Sequence, residues 1–173
     1  MAARVTLTMT EGSLQGRKLV FTGPSRCIVG RANDCNLCLP SDIQNQVVSR
    51  RHCTFEIDPP SVRVWDLGSL NGTYLNGQRI GMRPEGMTPE QARGLERVAF
   101  ELLDGDEVQV GSTVFLVNTF VPVECSACSR PIPEEETEAA EATDGGFLCD
   151  TCRQQEPEPC VAYGRPAEEM AAG

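Results

Sequence analysis

Four cysteines carry the clearest chemical spacing in this 173-residue chain. Cys125-Ser-Ala-Cys128 and Cys149-Asp-Thr-Cys152 form two C-x-x-C pairs with 20 residues between them. Two residues between thiols allow a tight knuckle that aims both sulfurs at one ion. Two such knuckles make a four-thiolate set suited to a structural Zn2+. Ile132, Phe147 and Leu148 are the few large apolar residues of that stretch, so a metal would supply folding energy that so small a core lacks. A disulfide or redox-labile pairing is the competing reading. A second set of residues suits an anion. The planar guanidinium of Arg31 can make bidentate contact with a phosphate, and the Ser49 hydroxyl can add a donor.

Catalytic chemistry finds little support. The chain has one histidine, His52, which excludes motifs that need two. There is no phosphate-binding GxxxxGK[ST] loop and no nucleophile elbow. His52 and Cys53 are neighbours, and adjacent strand residues point to opposite faces, so they are poorly placed to share a proton. Cys53 and Cys27 are expected in a core, with one or both of Cys35 and Cys38. The expectation is a binding protein, not an enzyme.

The elements that must position these residues are mostly short strands. Residues 5–10 (VTLTMT) alternate, as do 53–57 and 61–66. Residues 17–21, 26–29, 107–110 and 113–120 read as further strands. Asn71-Gly72 and Asn76-Gly77 signal tight turns with positive φ. Many short strands at regular spacing predict an all-β sandwich. One stretch breaks the rhythm: Thr88-Pro89-Glu90-Gln91 has a helix-capping signature, and Ala92, Leu95 and Ala99 follow at helical spacing. This predicts a short inserted helix near 89–98, read as surface decoration.

Charge divides the chain. Residues 1–123 carry 12 basic and 13 acidic side chains, and residues 124–173 carry 3 and 12. With a net charge of −10, broad contact with nucleic acid or an anionic membrane is not expected. No apolar run approaches the ~20 residues of a membrane span, and the N-terminus does not read as a signal peptide. A cytoplasmic location with reduced thiols is the expectation. The domain reading is a sandwich over 1–123, a zinc-ribbon-like segment over 124–153 and a disordered tail over 154–173.

Four blocks in order carry a family resemblance: Gly30-Arg31; Val48-Ser49-Arg50-Arg51-His52; Asp66-Leu67-Gly68-Ser69-Leu70-Asn71-Gly72-Thr73 followed by Leu75-Asn76-Gly77; and Leu103-Asp104-Gly105-Asp106-Glu107-Val108, ending at Gly111. Over roughly residues 5–120 the chain resembles forkhead-associated (FHA) domains. The resemblance implies an FHA-type β-sandwich that reads phosphothreonine peptides. Arg31 and Ser49 match phosphate-contacting positions. Arg50 matches a position that often adds a contact, and Asn71 the residue that holds the bound peptide's backbone. Gly30, His52 and Gly72 match residues that keep the loops in shape. A small cavity for the threonine γ-methyl would favour phosphothreonine over phosphoserine. The Cys35-x-x-Cys38 segment falls where the family has core and strand residues, against a metal or redox role there.

One position departs from the pattern. The residue before Asn71 is commonly Thr or Ser in phosphate-binding members, and here it is Leu70. A lost hydrogen bond to a charged group is worth about 1.5–3 kcal/mol, so the expected affinity is near micromolar, about −8 kcal/mol, or weaker. Ser69 is one residue out of place to substitute. The functional expectation is a phosphothreonine-dependent adaptor in Ser/Thr kinase signalling, its partner a phosphorylated kinase segment or substrate. The alternative is a phosphate-independent interaction scaffold built on the sandwich and the zinc knuckles. A minor extension is that phosphorylated Thr137 or Thr143 folds back onto Arg31.

Overall fold

The computed structural model describes residues 2–137, 140 and 146–154. The chain separates into two compact units, Met1–Pro122 and a second beginning at Val123. Thr143, Cys160 and, apart from Gln154, the expected disordered tail lie outside the described residues.

The first unit is a sandwich of two sheets. Its strands in chain order are β1 (Arg4–Glu11), β2 (Lys18–Phe21), β3 (Ser25–Gly30), β4 (Leu37–Cys38), β5 (Cys53–Asp58), β6 (Ser61–Asp66), β7 (Thr73–Leu75), β8 (Gln78–Gly81), β9 (Phe100–Leu102), β10 (Glu107–Val110) and β11 (Thr113–Phe120). One sheet has the order β2-β1-β11-β10-β7-β8, the other β4-β3-β5-β6-β9. Every pairing is antiparallel except β3 with β4.

Period-two alternation builds the core. In β1, Val5, Leu7 and Met9 are fully buried while Thr6, Thr8 and Thr10 stay partly exposed. Val62 and Val64 of β6 and Val108 and Val110 of β10 do the same. Each such side chain contributes about 1.5–3 kcal/mol by leaving water. Phe55 of β5 meets Phe115 of β11 edge-to-face at 5.6 Å, joining the two sheets. Cys27, Cys35 and Cys53 are buried and Cys38 is exposed. Burial pushes the Cys53 thiol up and Cys27 to about 11, so both sit as inert core thiols.

Four strands have no clear sequence signal. β4, β7, β8 and β9 run two to four residues, too short for alternation to register. Neighbouring strands and turns hold them instead. Asn76 (φ 50°) and Gly77 (φ 80°) close β7 onto β8 as a two-residue hairpin turn.

The inserted helix α1 spans Pro89–Ala92, shorter than the 89–98 expected. Its start follows the capping signature: the Gln91 N–H donates to Thr88 Oγ1 at 3.3 Å, and the Thr88 N–H to Gln91 Oε1 at 2.8 Å. It stops because nothing covers its continuation. Leu95 and Val98 are exposed, and Gly94 costs about 1 kcal/mol relative to Ala within a helix. The segment is more than decoration, since Ala92 is buried against Gly68 of the β6–β7 loop.

The second unit contains a hairpin of β12 (Val123–Glu124) and β13 (Pro131–Ile132), then short helices α2 (Glu134–Thr137) and α3 (Asp150–Arg153). Its core is Cys125, Ile132 and Ala140, with Val123, Phe147 and Leu148 packed around them. No helix among the described residues is long and apolar enough to cross a membrane.

Candidate functional site

Arg31, Ser49, Arg50 and Asn71 line one open cleft of about 730 Å3. Three loops meet there: the one leaving β3, the one before β5, and the β6–β7 loop. Gly30 makes the first junction feasible, since a Cβ at this residue would sit 2.2 Å from the Arg50 carbonyl oxygen. With that approach open, the Arg31 N–H donates to Ser49 O at 3.2 Å and the Ala32 N–H to Arg50 O at 2.9 Å. Arg31 Nε donates to Val48 O at 2.5 Å. This fixes the side-chain stem and leaves the terminal guanidinium nitrogens for a ligand.

His52 ties the loops together from beneath. It is fully buried. The Ser49 N–H donates to Nδ1 at 3.0 Å, so Nδ1 is unprotonated. Nε2 then carries the proton and donates to Gly72 O at 2.9 Å. Burial holds its pKa below the usual imidazole value, consistent with this neutral tautomer. Gly72, at φ 89°, adopts a backbone conformation that suits glycine. Above the imidazole, the Leu70 N–H donates to Ser49 Oγ at 2.9 Å. The Ser49 oxygen thus accepts from the protein, and its own O–H proton is directed elsewhere. Asn71 Nδ2 donates to Val47 O at 2.6 Å, leaving the amide oxygen to accept.

Sequence reasoning missed Asp66 as an organiser. It is 8% exposed, and its Oδ1 accepts from the Gly68 and Ser69 N–H groups at 2.7 and 2.8 Å. Its Oδ2 accepts from Ser69 Oγ and Thr73 Oγ1, both at 2.6 Å. Ser69 Oγ in turn accepts from the Gly72 N–H at 2.9 Å. The Ser69 hydroxyl is therefore consumed inside the loop and cannot serve a ligand. The Leu70 side chain is 59% exposed on the cleft wall. Hydroxyls three and seven residues after Asp66 were the available signal, readable as partners of a turn-forming aspartate.

The near-neutral balance of this unit conceals a segregation of charge. Arg26, Arg31, Arg50 and Arg51 line the cleft from the β3 and β5 side. Arg83, Arg93 and Arg97 complete it from the segment around α1. Asp34 is the one carboxylate in the lining, and it is ion-paired with Arg51. That pairing holds the Asp34 carboxyl below its usual range.

In the second unit the sulfurs of Cys125, Cys128, Cys149 and Cys152 all lie within 4.8 Å of one another. The Cys128 and Cys149 sulfurs are 3.7 Å apart. A tetrahedral ion with metal–sulfur bonds of about 2.3 Å requires sulfur separations of about 3.8 Å, so the four residues fit a metal. Hydrogen bonding, chiefly from the Cys149 backbone, draws the Cys125 thiol down to about 6. Hydrogen bonding with Cys128 pushes the Cys152 thiol up to about 12. The hairpin supplies one pair and the start of α3 the other, Cys149 standing at its N-cap.

Taken together, the fold and its loops define a β-sandwich with an arginine-rich cleft at one end. Residues 27–88 match the family model for the FHA domain. A solved structure from a structural and functional analysis of phosphothreonine-dependent FHA domain interactions superposes with a TM-score of 0.50 at 27% identity, covering 68% of this chain and 98% of that one. The chain contains an FHA domain. It is 36% identical over 74 residues to the FHA domain-containing protein FhaB of Mycolicibacterium smegmatis, covering 43% of this chain and 44% of FhaB. It is 26% identical over 184 residues to an uncharacterized protein of Schizosaccharomyces pombe, covering 100% of this chain and 58% of that protein. The chain thus spans about half the length of these relatives.

Proposed function

We propose that the chain is a phosphothreonine-dependent adaptor that docks onto a phosphorylated partner protein in Ser/Thr kinase signalling. The observation that carries this reading is the convergence at one cleft of the Arg31 guanidinium, anchored through Nε, with the Ser49 hydroxyl, whose oxygen already accepts from Leu70. A phosphate monoester of about −1.5 to −2 charges needs charge-assisted donors held in advance of binding. Arg31 and Ser49 bind the phosphate, Arg50 adds charge beside them, and the free Asn71 oxygen accepts from the peptide backbone. Gly30, His52 and Gly72 hold the loops without touching ligand. The similarity to an FHA structure studied for phosphothreonine-dependent interactions supports the same reading.

In the second unit, Cys125, Cys128, Cys149 and Cys152 hold a structural Zn2+. Its bonds replace the apolar core that this short segment lacks.

The test is a fluorescence titration of phosphothreonine, phosphoserine and unphosphorylated versions of one peptide. Binding near micromolar that requires the phosphate and falls at least tenfold in Arg31→Ala is expected, about 1.4 kcal/mol or more. Equal binding of phosphorylated and unphosphorylated peptide would instead establish the phosphate-independent scaffold.

A further inference from the structure

Beyond the phosphate grip, the cleft carries more positive charge than one phosphothreonine can neutralise. Among its seven arginines only Arg51 has a carboxylate partner among the described residues. A phosphothreonine contributes at most about −2, enough for Arg31 and Arg50; of the other four, Arg26 stacks over the Trp65 ring at 5.5 Å, and Arg83, Arg93 and Arg97 remain unmatched. These three lie on the segment that α1 folds against the β6–β7 loop through Ala92 and Gly68. Arg93 and Arg97 also lie outside the residues matched by the family model. Arg97 Nη2 donates to the Arg93 backbone carbonyl at 3.5 Å, which holds the Arg97 guanidinium beside the Arg93 backbone.

We propose that Arg83, Arg93 and Arg97 form an extension of the cleft for a carboxylate-rich stretch of partner peptide flanking the phosphothreonine. The inference rests on the phosphothreonine reading above. Carboxylates fit this wall better than a second phosphate, because no hydroxyl accompanies the three guanidinium groups as Ser49 accompanies Arg31. A protein segment fits better than nucleic acid, because no Phe, Tyr or Trp lines the cleft to stack a base. The segment's position explains why its short helix is held at all: α1 buries one residue, Ala92, and delivers two arginines to the cleft.

Fluorescence anisotropy on the full chain tests this with three labelled peptides. One carries phosphothreonine in neutral flanks, one carries it in Asp/Glu-rich flanks, and the third is the acidic peptide unphosphorylated. Each exposed Arg–carboxylate contact contributes about 1.5-fold to fivefold, so the acidic phosphopeptide should bind roughly tenfold tighter than the neutral one. The advantage should shrink as salt shortens the screening length. Arg93→Gln/Arg97→Gln should remove most of it and weaken the neutral phosphopeptide several-fold less than the acidic one. Thermal melts of the variant confirm that it is folded. Equal affinity for the two phosphopeptides overturns the extension and leaves phosphothreonine binding standing. Failure of both phosphopeptides to bind folded protein overturns both readings. A single-stranded oligonucleotide that outcompetes the acidic phosphopeptide, and loses affinity in the double variant, would reassign the wall to nucleic acid.

Discussion

Replacing Asp66 by alanine should destabilise the sandwich more than any single change on the cleft surface. The carboxylate accepts four hydrogen bonds in a buried turn, two from backbone N–H groups and two from hydroxyls. The hydroxyls of Ser69 and Thr73 can rotate toward other acceptors. The Gly68 and Ser69 N–H groups cannot, and an orphaned donor costs about 1–3 kcal/mol, the larger share falling on fully buried Ser69 rather than half-buried Gly68. The expected loss is therefore about 4 kcal/mol, against a total stability of about 5–15 kcal/mol for a domain of this kind. That corresponds to a fall in Tm of roughly 15 °C. Trp65 is the one tryptophan in the chain and adjoins the site, so urea denaturation followed by its fluorescence reads the first unit alone. Asp66→Asn keeps an oxygen for the two N–H groups and should lose about half as much. A loss below about 1 kcal/mol in Asp66→Ala, with unchanged m, would refute the idea that this carboxylate holds the β6–β7 loop.

Three further expectations concern other groups. His52 is held neutral, with a folded pKa below its ordinary 6.5. The unfolded chain therefore binds the extra proton first. The imidazole's contribution is complete above about pH 6.5 and is lost as pH falls from there toward the folded pKa. Urea midpoints read by Trp65 at pH 7.5 and 5 should show this loss, and His52→Gln should flatten it. Native mass spectrometry should find one zinc per chain, abolished by Cys149→Ser or by a chelator, with the Trp65 transition unmoved; a metal-free chain with a folded second unit would contradict the site. Leu70→Thr should place a hydroxyl at the cleft wall and tighten phosphothreonine peptides by about tenfold or more, measured by titration; unchanged affinity would mean the added hydroxyl does not reach the phosphate.

Legibility in the sequence followed the length scale of the interaction. Val5, Leu7 and Met9 alternate over a strand long enough to display its period, so β1 could be read directly. The Asn76-Gly77 turn could be read from two residues because positive φ is a local demand. The four-cysteine cluster was legible for the same reason, its spacing being local within each pair. α1 began where its cap predicted and ended early, because helix length depends on a covering partner that Leu95 and Val98 lack. Asp66 stayed hidden although its residue type was plain. Its importance lies in four partners that converge only once the β6–β7 loop has closed. The hydroxyl of Ser69 was equally visible, but only the folded loop reveals that Asp66 and Gly72 occupy it.

Charge is where averaging over the sequence misleads most. A balance of 12 basic and 13 acidic residues over positions 1–123 argues against polyanionic ligands only if the charges are evenly spread. Net charge governs solubility and long-range attraction, whereas a cleft responds to the groups that face it. Arg31 and Arg97 are 66 positions apart, yet both line one cleft whose single carboxylate is already paired with Arg51. Of the acidic side chains that balance these arginines in the count, Asp34 is paired in the cleft, Asp66 is buried at the end of β6, and the rest lie outside the lining. The near-neutral sum therefore coexists with a concentrated field at one end of the sandwich, where an anionic ligand would be drawn and where salt should weaken its hold.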